Sequence, residues 1–207
     1  MTTQREPLLT PVAVEDLRPT QITVGMREVA LKRQMIRSQS AGKTRVFLGT
    51  HMVPVVLGPK KRNYVTDHHH LAHALLEEGI RDVLVTVISD LSGLDNKDAF
   101  FVVLDNRGWM HPFDEKGRRR RYDAIPKTMA ELADDPYRSM AGELRRQGGF
   151  AKDTTPFSEF LWADFLRRRI DRNGVAKNFD KAMKDALTLA KGKDADYLPG
   201  WCGPTSD

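Results

Sequence analysis

The sequence predicts an α/β protein of the α+β kind, in which one small sheet-containing domain is followed by a helical extension. Two β-rich runs at 52–57 and 62–66 enclose a turn, a third apolar run follows at 82–89, and helical patterns dominate the second half of the chain. We therefore expect an α/β domain at residues 1–106 and, at residues 107–207, a basic loop and helical extension packed on it.

The first predicted elements are a short strand at 10–14, a proline-containing loop at 15–21 and a helix. Apolar residues from Met26 onward recur at helical spacing. Gly42 and Lys43 are expected to end this helix, because glycine disfavours a helix interior.

A β-hairpin and a second helix follow. Residues 58–61, Gly-Pro-Lys-Lys, form the predicted hairpin turn. The next helix is predicted over 68–78, with Asp67 as its N-cap and Gly79 as the residue that closes it. The run at 82–89 is continuously apolar rather than alternating, which predicts a strand covered on both faces.

The second half is predicted to be mainly helical. A helix that starts at Lys97 is expected to end at residues 106–108, and three further helices are expected to start near Pro126, Pro136 and Pro156.

The last two helices have recognisable ends and one wide apolar face. Thr155 is the predicted N-cap of the helix after Pro156, Asn178 is the predicted N-cap of the final helix, and Gly192 is its expected stop. The residues expected to pack the helical half onto the sheet are Phe157, Phe160, Leu161 and Phe165.

Composition excludes several classes of protein. No apolar run approaches the roughly 18 residues that a membrane span needs, and the N-terminus lacks the pattern of a secretory signal. The single cysteine, Cys202, cannot form an internal disulfide. We therefore expect a cytoplasmic protein with no membrane association.

The charge distribution favours an anionic partner. The net charge is +5, and the excess lies mainly at 107–172, where 15 basic and 11 acidic residues occur. A run of four arginines in this segment could contact the phosphates of nucleic acid, or it could be a solvated loop. The run consists of Arg118, Arg119, Arg120 and Arg121.

The strongest local signal is a cluster of four histidines and one aspartate at 67–73, where a β-rich run ends and a helix begins. The first N–H groups of a helix have no intrahelical partner, so such a junction favours an anion. Asp67, His69 and His70 are candidate catalytic residues, since a histidine near neutral pH can act as general acid or base and Asp67 could orient it.

Two alternatives remain open for the cluster. His69 and His73 stand at i, i+4, so a divalent metal such as magnesium or zinc could bind there, with Asp67 and His73 as candidate ligands. The segment lacks the glutamate of the metalloprotease helix. The histidines could also be solvated residues that follow an acidic cap.

The order of elements resembles the ParB/sulfiredoxin superfamily, and especially its branch of ParB-like nucleases. The loop at 17–21 and the turn at 67–74 carry the resemblance over residues 10–105, and the stretches at 135–139 and 157–165 are similar to the helical extension of that branch. The resemblance implies a small mixed sheet and a phosphate or nucleotide held at the strand-to-helix turn. The implied binding residues are Thr20, Gln21, Lys32, Thr66, His68, His69, His70 and His73.

Several positions differ from the pattern of the superfamily. His68 stands in place of the usual glycine, and His70 where arginine is frequent. Gln21 aligns with the glutamate of the serine kinase relatives and cannot take a proton, and no catalytic cysteine accompanies the turn. Serine kinase and sulfiredoxin activities are therefore not expected.

We expect one of two functions. The first is a phosphodiesterase or nuclease that binds the phosphate of a nucleotide or nucleic acid, with a divalent metal such as magnesium or zinc as a candidate cofactor. The second is a non-catalytic nucleotide- or DNA-binding module in segregation or regulation. In both cases protonated His69 and His70 are expected to strengthen anion binding, which would weaken as the pH rises through about 6.5.

Overall fold

A four-stranded mixed sheet with helices on both faces forms the first half of the computed structural model, which describes residues 11–204 apart from the side chains of residues 41 and 45. In chain order the elements are β1 (Pro11–Ala13), β2 (Thr23–Val24), α1 (Met26–Ser38), α2 (Ala41–Thr50), β3 (Val53–Gly58), β4 (Arg62–Val65), α3 (His69–Glu77), β5 (Asp82–Asp90), α4 (Lys97–Asn106), β6 (Ala133–Asp134), α5 (Pro136–Arg146), α6 (Ser158–Arg167), α7 (Arg172–Lys177) and α8 (Phe179–Lys191). The predicted fold class is confirmed.

The sheet has the strand order β1-β5-β3-β4. β3 pairs in parallel with β5, while the β1–β5 and β3–β4 pairs are antiparallel. Val55 of β3 faces a core formed with α1 and α3, and Val56 faces a second core that contains Phe100 of α4. Successive side chains of a strand point to opposite faces, so β3 is covered on both sides.

β5 departs from the prediction that it is covered on both faces. Val83 is buried, but Val87 and Ile88 are exposed. β1 pairs with β5 only as far as Leu84, and β5 continues beyond it beside β3 alone. An apolar run predicts a strand, but it does not determine how far neighbouring elements extend along it.

The predicted break at residues 42–43 is wrong. α1 ends at Ser38, and both residues lie inside α2. Ser40 begins this new helix, and its side chain faces the N–H of Lys43 at 3.5 Å. Gly42 is exposed in the first turn of α2, so it does not end a helix.

Helix ends in the second half follow the prediction in part. α5 begins at Pro136, Asn178 caps α8 by accepting the N–H of Lys181, and Gly192 ends α8. Pro126 precedes only a single 3-10 turn at Met129–Glu131. Thr155 is not an N-cap, because the chain first passes through Phe157, which occupies that position in α6.

The four aromatic and aliphatic residues expected to join the two halves do not do so as a group. Leu161 is exposed, and Phe165 packs in a core that belongs to the helical half itself. The helical half instead meets the sheet domain through α5 against α1 and through the parallel pairing of β2 with β6. The helical periodicity of the segment did not specify which neighbour its apolar face would meet.

Across residues 11–204, no helix combines the length and the apolar character needed to cross a membrane.

Candidate functional site

A cleft of about 460 Å³ lies where the helical half meets the sheet domain. Its lining comes from the loop before β2, from α1, from the turn that opens α3, from α5, and from the segment that leads into α6. The predicted residues that it brings together are Gln21, Lys32, Thr66, Asp67, His68, His69 and His70. Thr20 and His73 are not among its lining residues.

Two helices direct their N-termini toward this cleft, and each is preceded by a residue in the left-handed region. His68 has φ 67° at the N-cap of α3, and Phe157 has φ 59° at the N-cap of α6. Neither side chain caps its helix. Within residues 11–204, the main-chain N–H groups of His69 and His70 have no hydrogen-bond acceptor. The start of α3 therefore offers free donors to an anion.

Asp67 does not cap α3, contrary to the prediction. Its Oδ1 accepts the N–H of His68 at 2.6 Å, one residue before the helix begins. His68 has a positive φ, so the chain turns between Asp67 and His69, the first residue of α3. This conformation favours glycine, which is the residue that the resemblance places there.

His69 connects α3 to the loop before β2. Its Nε2 accepts the main-chain N–H of Thr20 at 3.1 Å, and the Thr20 hydroxyl donates to the carbonyl of Val65 at 2.6 Å. Burial lowers the pKa of His69 to about 3. The ring is therefore neutral at physiological pH and acts as a buried acceptor.

His70 has the same role one residue further on. Its Nε2 accepts the N–H of Gly25 at 3.0 Å, immediately before α1. Burial, followed by the positive charge of Arg138, holds the pKa of His70 well below its usual range. The expectation that protonated His69 and His70 hold an anion near neutral pH is therefore wrong: both rings are uncharged and hold main-chain donors in place.

Acidification from pH 8 to 5.5 is expected to cost about 1.4 kcal/mol of stability through His69 alone. Its folded pKa of about 3 lies below the unfolded value near 6.5. The stability that it contributes is thus present above pH 6.5 and is lost as the pH falls toward 3. Urea denaturation at several pH values should show a smaller pH dependence for His69→Gln than for the parent. His51→Gln, a change at an exposed position, is the control, and an equal pH dependence in all three proteins would contradict the expectation.

Arg138 also lines the cleft, although it is not among the predicted site residues. Its side chain is only 13% exposed, and its Nε has no partner among the described residues. The nearest carboxylate, that of Glu159, lies 3.9 Å away, and the guanidinium lies over the Phe160 ring at 5.2 Å from the centroid. Burial lowers the pKa of Arg138. The segment at 135–139 resembles the helical extension of the family, and nothing local in it indicates that its arginine lines the same cleft as His68.

The metal hypothesis gains no support from the positions of its two candidate ligands. His73 is buried on α3, where its Nδ1 lies 3.6 Å from Glu77, whereas Asp67 bonds to the N–H of His68. In residues 11–204, no three histidine, cysteine or acidic side chains are grouped so as to hold a metal ion. A metal bound through Asp67 and His73 stays a prediction.

The four arginines at 118–121 are exposed, and none lines the cleft in the described part of the chain. Three of them have acidic neighbours. Arg119 pairs with Asp105, Arg120 lies 3.7 Å from Asp114, and Arg121 lies 3.8 Å from Asp123. Their contact with nucleic acid stays a prediction.

The mixed sheet, the strand-to-helix turn and the cleft beside it define a mixed α/β protein with a candidate ligand site at the N-terminus of α3. The chain belongs to the family described as "Putative ParB-like nuclease", whose model matches residues 10–168. Among solved structures it is similar to protein Atu1540 from Agrobacterium tumefaciens, with 51% identity and a TM-score of 0.88 over 95% of this chain and 99% of that one. No curated protein matches the chain.

Proposed function

We propose that the cleft binds the phosphate group of a nucleotide or nucleic acid at the N-terminus of α3. The observation that supports this most directly is the side chain of Arg138, which is largely buried in the cleft with an unpartnered Nε. A buried guanidinium is costly unless it is paired. A phosphate between Arg138 and the free N–H groups of His69 and His70 would satisfy both.

The charges around the cleft favour an anion, although acidic residues also line it. Each of the four acidic lining residues already has a partner, whereas Lys32 and Lys152 have no carboxylate within 4 Å among the described residues. The pairs are Glu28 with Arg146, Glu159 with Arg145, Asp67 with the N–H of His68, and Asp153 with the N–H of Thr155.

We further propose that the cleft hydrolyses a phosphodiester, as the family description suggests. In this proposal the oxygen of a water molecule bonds to phosphorus as the Asp67 carboxylate takes a proton from that water. The bond from phosphorus to the leaving oxygen breaks, and the leaving oxygen takes a proton from solvent. Arg138 stabilises the charge that develops on the phosphate. His69 and His70 act as positioning residues, because their Nε2 atoms already accept main-chain N–H groups. A divalent ion, if one takes part, would arrive with the phosphate.

The second candidate is a binding module without catalysis. The same two hydrogen bonds favour it, because they leave neither Nε2 free to accept a proton from a substrate. Detection of hydrolysis products would distinguish the hydrolase from the binding module.

Thermal unfolding with ATP, CTP, AMP, CMP and short single-stranded DNA and RNA, with and without Mg²⁺, tests the proposal. A ligand that binds only the folded state at 100 times its Kd adds about 2.7 kcal/mol of stability. We expect stabilisation by at least one phosphorylated ligand and none by the matching nucleoside. Equal behaviour of nucleotide and nucleoside would contradict phosphate binding, and analysis of the same mixtures for products would detect hydrolysis.

A further inference from the structure

The cleft has an aromatic wall at the start of α6. Phe157 and Phe160 line it, and behind them His111 stacks on Phe160 at 4.0 Å and on Phe113 at 4.5 Å between ring centroids. Burial lowers the pKa of His111 to about 3, so this ring is a neutral member of the stack. The wall is therefore uncharged, in contrast to the polar side of the cleft.

Phe157 is the member of this wall that keeps accessible surface inside the cleft. Phe160 is only 9% exposed, and Trp162 and Phe165 of the same segment are fully buried in the helical half. Phe157 is partly exposed and lies 5.0 Å from His111 between ring centroids. A phenylalanine that retains open surface in a polar cleft is available to a ligand.

The backbone conformation of Phe157 is an independent indication that this residue has a functional role. Its φ of 59° and ψ of 28° lie in the left-handed region, which a non-glycine residue adopts at a cost. Such conformations concentrate at functional sites. The other non-glycine residue of the cleft in this conformation is His68, at the start of the helix that faces the proposed phosphate. The two unusual residues of the cleft thus stand at its two helix N-termini.

We propose that Phe157 is a stacking platform for the base of the ligand, so that the cleft selects a nucleobase-bearing phosphate over other phosphate esters. This inference rests on the proposed phosphate site and names the class of its ligand. Every base has an aromatic face, so a ring such as Phe157 accepts one without reading its identity. The volume of about 460 Å³ lies within the usual range of small-molecule sites.

Titration of AMP, CMP and ribose 5-phosphate against the parent protein tests this inference without any variant. The three ligands share a sugar and a phosphate, and only the first two have a base. We expect the better nucleotide to bind about tenfold more tightly than ribose 5-phosphate. Equal affinities overturn the stacking platform while leaving the phosphate site standing, and failure of these three ligands, of ATP and CTP and of the oligonucleotides to bind overturns both proposals.

Variants at the same position assign the effect to the ring. Phe157→Leu keeps an apolar, non-glycine side chain at this left-handed position, so the cost of the backbone conformation is similar. Phe157→Tyr keeps the aromatic ring. Phe157→Leu should lose the preference for nucleotide without changing the affinity for ribose 5-phosphate, and Phe157→Tyr should retain the preference. If Phe157→Leu keeps the preference, the platform lies elsewhere and the inference is wrong.

Short DNA and RNA oligonucleotides distinguish the two sources of a base. Tighter binding of a tetranucleotide than of AMP or CMP, weakened by Phe157→Leu, assigns the platform to a polymer. Tighter binding of the mononucleotide, weakened by the same change, assigns it to a free nucleotide. If Phe157→Leu changes the affinity for neither the tetranucleotide nor the mononucleotides, the inference is wrong.

Discussion

Arg138→Gln is expected to weaken nucleotide binding about 100-fold. Glutamine keeps the length for packing against Phe160 but loses the positive charge and the paired donors that fit a phosphate. Arg138 is only 13% exposed, so its interaction with an anion is weakly screened by solvent. Isothermal titration with the ligand that stabilises the parent most would measure the loss.

Two further variants distinguish a specific contact of Arg138 with the phosphate from a general effect of positive charge on binding. Arg138→Lys keeps the charge without the planar fork, and should recover part of the affinity. Arg120→Gln removes one charge from an exposed loop outside the cleft and should leave the Kd unchanged within about twofold. Glu159 keeps Arg145 at 3.0 Å, so the free Arg138→Gln protein should remain folded. Parent-like binding by Arg138→Gln would refute the proposed site.

Arg167→Met is expected to destabilise the fold by about 3–5 kcal/mol at pH 7. Arg167 pairs at 2.5 Å with Asp135, which is 1% exposed. Asp135 also caps α5 by accepting the N–H of Tyr137 at 3.0 Å. Methionine fills much of the same space but leaves the carboxylate buried without its cation. Urea denaturation of the two proteins would measure the difference.

The loss should depend on pH in a defined direction. Burial raises the pKa of Asp135 in the folded protein, and Arg167 opposes that rise. For a carboxyl with a raised folded pKa, stability is present below the unfolded pKa and is lost as the pH rises through the folded value. The deficit of Arg167→Met should therefore shrink as the pH falls toward 4. Arg168→Met is the matched control: Arg168 pairs with Asp164 at the surface, and its loss should cost under about 1 kcal/mol. Equal effects of both changes would contradict the buried pair.

Local chemistry was sufficient for much of the fold and for the position of the strand-to-helix turn at 67–70. The hairpin, the stop of α3 at Gly79, the start of α5 at Pro136 and the cap of α8 at Asn178 all depend on residues close in sequence. Backbone conformation and capping act over a few positions, so their signals can be identified in one chain. Short-range signals of the same kind located the cluster at 67–70 between the end of β4 and the start of α3.

The chemistry of the cluster depends on residues far apart in the chain. His69 and His70 are typical of acid–base catalysis in isolation, yet their Nε2 atoms accept N–H groups from Thr20 and Gly25, more than 40 positions away. Arg138 comes from still further along the chain, because α5 packs against α1. A pKa depends on burial and on neighbouring charges, and both follow from packing.

The sequence by itself thus determined the family, the α/β class and the location of the turn. Only the tertiary structure decided that His69 and His70 are neutral, that Arg138 lines the cleft with them, and that Phe157 lines it too while Trp162 and Phe165 are buried. The physical reason is that propensities and caps act between neighbours along the chain, whereas desolvation and charge act between neighbours in space.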